Sequence, residues 1–145
     1  MSFKSIAIGS DHAGFDLKAK LAAELKSTGY EVIDLGTTDA TTSVDYPDFG
    51  RAVAEAVAAG KADAGVVVCG TGIGISIAAN RVPGVRAALC HDQTSARLCR
   101  EHNDANVLAL GARLVGEVVA MDCLNTFLNT EFAGDRHVRR VQKLG

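Results

Sequence analysis

The chain has 145 residues, 48% of them hydrophobic and 22% charged, with a formal net charge of −2. That length suits one globular domain with a sizeable core, and the near-neutral balance offers no basic surface for nucleic acid or for an anionic membrane. No signal-peptide pattern opens the sequence and no run approaches the ~20 apolar residues that span a bilayer, so a cytoplasmic protein is expected. The four cysteines, Cys69, Cys90, Cys99 and Cys123, have no CxxC spacing and none of the density of a secreted scaffold. Reduced thiols and no structural metal are the expectation.

In chain order, short β-rich runs alternate with longer amphipathic ones. "SIAIG" (5–9) predicts a strand, and residues 15–29 predict a helix with Leu17, Leu21 and Leu25 on one face and Gly29 as its stop. "YEVIDLG" (30–36) is the second strand, and the polar loop "TTDATTSVDYP" leads into an alanine-rich helix from Asp48 to Gly60. Strand "AGVVVCG" (64–70) and a helix over 74–81 follow, then strand "VRAALCH" (85–91) and a helix over 93–102. Strand "NVLALG" (106–111) and a long helix from about Val115 to Phe132 complete the series. Continuous apolar strands joined by helical crossovers predict an α/β protein, a five-stranded parallel sheet in a three-layer α/β/α arrangement. In such sheets ligands sit beyond the carboxyl ends of the strands. Only the tail 133–145, "AGDRHVRRVQKLG", changes character; it is too poor in apolar residues for a core of its own.

That rule draws attention to "VVVCGTGIGISIAAN" (66–80), where Cys69 closes an apolar strand and is followed by Gly70, Gly72 and Gly74. Glycines let the chain turn tightly and present amide N–H groups at the start of the next helix, an anion cradle. A thiol beside those amides and the positive helix end ionises more readily. Free cysteine is also among the most buried residue types and βα turns need glycine anyway, so a plain core residue is the competing reading. Cys90, Cys99 and Cys123 lack the glycine neighbourhood and read as core.

Other strand and helix ends carry polar groups. "GSDHAG" (9–14) follows the first strand with Asp11 and His12, suited to holding hydroxyls or a proton, or equally to helix capping by Asp11 beside an exposed His12. "REHNDAN" (100–106) places His102 and Asn103 at a helix end, where a histidine can simply compensate the dipole. His91 reads as a surface residue. Arg113 follows the fifth strand, and the tail holds Arg136, His137, Arg139 and Arg140. Such arginines are either a solvated basic face or donors to a phosphate. A nucleotide site is the rival: "CGTGIGIS" misses the G-x-G-x-x-G spacing at Ile75, although Asp92 ends the next strand about where a ribose-binding acid belongs. Neither glycine stretch has the Gly-Lys-Ser/Thr ending of a P-loop. A flavodoxin-like signalling or interaction domain is the third reading.

"GSDHAGF", "DYPDF", "CGTGIGISIAAN", "HNDANVLALGAR" and "GDRHVRRV" occur in that order. With them the chain resembles, nearly end to end, the ribose/galactose isomerase family and in particular its type B ribose-5-phosphate isomerases. The resemblance implies a Rossmann-like sheet of order 2-1-3-5-4 and a cofactor-free aldose–ketose isomerase interconverting ribose 5-phosphate and ribulose 5-phosphate. It further implies a homodimer or dimer of dimers with active sites shared between subunits, the tail 133–145 reaching a neighbour. Cys69 then corresponds to the base, Thr71 to its polar neighbour, and the Gly70, Gly72 and Gly74 backbone to the anion hole. Asp11, His12 and Tyr46 would contact the sugar, His102 would open its ring, Asn103 would hold an oxygen, and Arg113, Arg136 and Arg140 would bind phosphate. Another branch of the family uses a glutamate in the glycine loop as base; Ile75 stands there in this chain, which therefore resembles the cysteine branch. Related members act on allose 6-phosphate or galactose 6-phosphate, and "HNDANVLALGAR" is more similar to the ribose group.

Overall fold

Each β-rich run expected from the sequence forms a strand in the computed structural model, which describes residues 3–145. The strands are β1 (Ser5–Ser10), β2 (Glu31–Asp34), β3 (Ala64–Cys69), β4 (Ala87–Leu89) and β5 (Val107–Gly111), paired in parallel in the order β2-β1-β3-β5-β4. The helices are α1 (Phe15–Ser27), α2 (Tyr46–Ala58), α3 (Ile73–Asn80), α4 (Gln93–Asn103), α5 (Glu117–Asn129) and α6 (Arg136–Gln142). The order matches the one the resemblance implied, and the α/β/α expectation holds.

The two-residue period of a strand splits the core into two layers. Ile6, Ile8, Val66, Val68, Leu108 and Leu110 point to one face, where they meet Leu17, Leu21 and Leu25 of α1 and Leu124 and Phe127 of α5. Ala7, Val67, Val107 and Ala109 point to the other, against Val53 and Ala54 of α2 and Ile75 and Ala79 of α3. The second layer is thin because its residues are small: a Cβ added at Gly9 would lie 2.9 Å from Val53, and one at Gly50 would lie 2.9 Å from Ile75. α2 is thereby drawn close to the sheet and α3 close to α2, and because each follows a strand both have their N-termini at the carboxyl edge.

Several boundaries differ from the sequence reading. The fourth strand shrinks to three residues, since β4 is an edge with β5 as its neighbour and a turn, Val85 N–H to the Val82 carbonyl at 3.2 Å, precedes it. The second helix starts earlier, at Tyr46, with Pro47 in the first turn where a missing N–H costs nothing. The fifth ends at Asn129, short of Phe132. The tail, to which the sequence reading assigned no element, forms α6 and packs on α4 of its own chain.

Candidate active site

At the carboxyl edge the main chain does most of the positioning. β3 ends at Cys69, and Gly72 adopts a positive φ of 77°, where an added Cβ would lie 2.6 Å from Leu89 Cδ1 and 2.8 Å from the Leu110 backbone. Glycine alone fits that turn. The turn directs the Gly72 N–H onto Cys69 Sγ at 3.2 Å, in a site where the cysteine is only 4% exposed. Thr71 lies exposed on the loop, and its Oγ1 accepts the Ile73 N–H at 3.2 Å. The first-turn amides of a helix have no intrahelical acceptor; among the described residues, those of Gly74 and Ile75 have none elsewhere.

Neighbouring loops close around this turn. An added Cβ at Gly14 would lie 2.5 Å from the Val68 carbonyl, so the β1–α1 turn presses directly on the end of β3. Asp11, buried there, accepts the Gly14 N–H through Oδ1 at 3.0 Å and donates its own N–H to the Val68 carbonyl at 3.3 Å. Gly14 is the N-cap of α1 and no side chain caps the first-turn amides of that helix, so the Asp11 carboxylate braces the turn before α1 instead of capping it. His12 accepts the Val44 N–H on Nδ1 at 3.1 Å, which assigns its proton to Nε2 and ties the β1–α1 turn to the loop entering α2. That loop is held at its other end by Lys18, buried on α1, whose Nζ reaches the Asp34 carboxylate at 2.7 Å and the Thr37 carbonyl at 2.9 Å. Tyr46 lies over Gly74, where an added Cβ would meet its ring at 2.5 Å, and the Arg113 guanidinium rests against Gly70, its Nη1 3.3 Å from an added Cβ. Arg113 also donates its N–H to the Gly70 carbonyl at 2.9 Å.

His102, Asn103, Arg136 and Arg140 are elsewhere. A helix that follows one parallel strand and precedes the next runs back across the sheet, so the C-terminus of α4 lies at the amino edge. The Asn103 carbonyl there accepts from Arg86, the residue before β4, at 3.2 Å. With Cys69 paired to Gly111 and Gly65 to Val107, the two edges are separated by roughly 13 Å along the strands, at ~3.3 Å per residue. Of the two imidazoles singled out in the sequence, that of His12 is at the carboxyl edge and that of His102 at the other. His102, Asn103 and Arg140 instead line a cavity of about 280 Å³ with His137, Val141 and Leu144.

His137 was named in the tail without a role. Its ring stacks on His102 with centroids 4.4 Å apart and planes at 16°, and it is buried. Burial, then the neighbouring Arg136 and His102, hold its imidazole below the ordinary range. The signal available in the sequence was the i, i+4 spacing of Arg136 and Arg140, which places both on one helix face and His137 beside it.

The remaining candidates of the sequence reading are occupied otherwise. Asp92 caps α4, accepting the Ser95 N–H at 2.6 Å, and His91 is exposed. Cys90, Cys99 and Cys123 lie in the core of the α1 and α5 face. Hydrogen bonding with Cys99 and burial push the Cys90 thiol up, and burial pushes Cys123 up to about 11. No helix among the described residues is long and apolar enough to cross a membrane.

Fold and loop define a three-layer α/β protein with a glycine-lined thiol at the carboxyl edge of a parallel sheet. The model of the Ribose/Galactose Isomerase family matches residues 6–144, and the chain belongs to that family. It is 48% identical to the ribose-5-phosphate isomerase B of Escherichia coli over 141 residues, 97% of this chain and 94% of the relative. The structure of Clostridium thermocellum ribose-5-phosphate isomerase B superposes with a TM-score of 0.96 at 60% identity, covering 97% of this chain and 95% of that one. A galactose-6-phosphate isomerase subunit of Clostridium acetobutylicum is 44% identical over 138 residues, 95% of this chain and 79% of the relative.

Proposed function

We propose that the chain is an aldose–ketose isomerase that interconverts D-ribose 5-phosphate and D-ribulose 5-phosphate through an enediolate. The observation that carries this reading is the Gly72 N–H on Cys69 Sγ at 3.2 Å, which sets a base within the mouth of an amide-lined loop. Cys69 removes the proton from the carbon beside the carbonyl of the open-chain sugar and returns it to the neighbouring carbon. The developing oxyanion lies against the loop of Gly70, Gly72 and Gly74, whose fixed amides need no reorganisation during the step; one such donor is worth about 3–4 kcal/mol in measured oxyanion holes. Thr71 is the hydroxyl nearest in sequence to the base, Asp11, His12 and Tyr46 hold sugar hydroxyls, and Arg113 meets phosphate.

Ring opening belongs to His102, with Asn103 holding an oxygen and Arg136 and Arg140 on the phosphate. Because these lie at the amino edge of their own chain, the complete site takes its second half from another copy. The chain acts as a homodimer or a dimer of dimers, with residues 133–145 contributed to the neighbour's site. Free cysteines suit the reducing cytoplasm, where we place the enzyme.

The test is conversion of ribose 5-phosphate, allose 6-phosphate and galactose 6-phosphate by purified protein treated with chelator and given no cofactor. Turnover of ribose 5-phosphate with the highest kcat/KM is expected. A higher kcat/KM for either six-carbon sugar would reassign the substrate, and no turnover of any would refute the isomerase reading.

A further inference from the structure

The short segment that carries His102 and Asn103 is held in an unusual way. α4 ends on two backbone bonds, Asp104 N–H to the Arg100 carbonyl at 3.2 Å and Ala105 N–H to the Cys99 carbonyl at 3.0 Å. This helix ending needs a left-handed residue just past the helix, a place normally taken by glycine or asparagine. Here Asp104 occupies it, at a φ of 47°. A side chain that keeps a strained backbone conformation is held there by something else, and two arginines do so. Arg100, only 5% exposed, donates through Nη1 to Asp104 Oδ1 at 2.9 Å and to the Ala105 carbonyl at 2.7 Å, and through Nε to the Thr130 carbonyl at 3.1 Å. Its guanidinium lies over the Phe3 ring, 4.9 Å from the centroid. From the other side Arg86 Nε donates to the Asn103 and Asp104 carbonyls at 3.2 and 3.0 Å, and its Nη2 is 3.6 Å from Asp104 Oδ2.

We propose that Arg100 is a positioning residue of the isomerase: through Asp104 and the Ala105 carbonyl it fixes the turn that presents His102 and Asn103 to the substrate. The inference rests on the role given above to those two residues. A planar fork with several donors at fixed angles can satisfy the end of a helix, the start of β5 and the segment after α5 at once, and an ammonium cannot. The carboxylate at the left-handed position gives the fork something to grip next to Asn103, which a glycine would not.

Arg100→Lys keeps the charge and loses the fork. With the fold intact by circular dichroism, kcat on ribose 5-phosphate is expected to fall between about 10- and 100-fold, the order seen when a catalytic group is misplaced by an ångström. The loss with ribulose 5-phosphate, which needs no ring opening, should be smaller. In a His102→Asn background the same change should cost far less than it does alone, because the group it aims is already gone. Asp104→Gly removes the carboxylate but puts at the left-handed position the residue that suits it, so it should fold and still lose kcat; it carries the test if Arg100→Lys does not fold.

Full kcat in a folded Asp104→Gly or Arg100→Lys protein, or equal and independent losses in the two backgrounds, would overturn the positioning role. If His102→Asn itself leaves ribose 5-phosphate turnover intact, the ring-opening assignment falls, and the positioning role falls with it. A crippled His102→Asn beside an unaffected Arg100→Lys defeats the positioning role alone.

Discussion

At the carboxyl edge of the sheet Cys69, Asp11 and Arg113 are set by backbone geometry: a glycine at positive φ, a turn pressed on the Val68 carbonyl, and amides bonded to strand ends. At the amino edge His102 and Asn103 are set by side chains, the Arg100 and Arg86 guanidiniums and the stacked His137 ring. The difference follows from where each group sits. A strand end is buried on both sides and inherits the rigidity of the sheet, whereas a helix end at the rim has carbonyls beyond its intrahelical ladder, which the backbone turn and the long arginine side chains share here. The first kind of site tolerates little change in backbone volume; the second should respond to charge and protonation.

The largest effect tests the carboxyl edge. Cys69→Ser preserves the loop's shape but replaces the sulfur by an alcohol that does not ionise near neutrality. Steady-state turnover should fall by roughly 10²- to 10⁴-fold, the scale of a lost general base, with substrate affinity by calorimetry nearly unchanged. A variant retaining more than a tenth of the parent rate would remove the thiol from the chemistry.

Joining the two edges is the next test. Arg136→Ala with Arg140→Ala should raise KM for ribose 5-phosphate steeply, and mixing that chain with Cys69→Ser should restore activity in heterodimers, since one of the two sites regains both halves. Each variant alone should be nearly inactive. Where subunits demonstrably exchange and mixing restores nothing, the two edges do not share a site.

A smaller effect separates backbone from side-chain control. Gly74→Ala places a methyl where the Tyr46 ring now lies, 2.5 Å from two of its carbons. The ring must swing away, and a loss of about tenfold in kcat/KM, or ~1.4 kcal/mol, is expected. Wild-type kcat/KM in this variant would mean that Tyr46 does not touch the sugar.

The smallest effect is one of pH on the amino edge. Burial holds His137 below its ordinary value of 6.5, so the unfolded chain takes up its proton first as pH falls. The contribution is whole above about pH 6.5 and is lost on acidification through that value toward the lower folded one. His137→Gln should therefore lose less melting temperature between pH 7 and pH 5 than the parent; identical slopes would show that the His137 imidazole takes up its proton alike in the folded and the unfolded chain.

Much of the carboxyl edge was legible in the sequence, because each part is a local pattern: an apolar strand, then a cysteine, then glycines that only a tight turn explains. The strand–helix alternation likewise determined a parallel three-layer fold, since continuous β-branched runs separated by amphipathic helices have no other way to bury both faces. Lys18 could not be read that way. It sits beside Leu17 among the buried residues of α1, and only the end of β2 and the loop after it, folded against the helix, supply the Asp34 carboxylate and the Thr37 carbonyl that make its burial tolerable. The tail was also beyond reach, because α6 owes its place to a surface on α4 some thirty residues earlier rather than to apolar content of its own. Above all, the sequence named His102 and Cys69 without saying that they stand at opposite edges. Composition and spacing record which chemical groups a chain owns; the direction in which a crossover helix returns across the sheet decides which of them can meet.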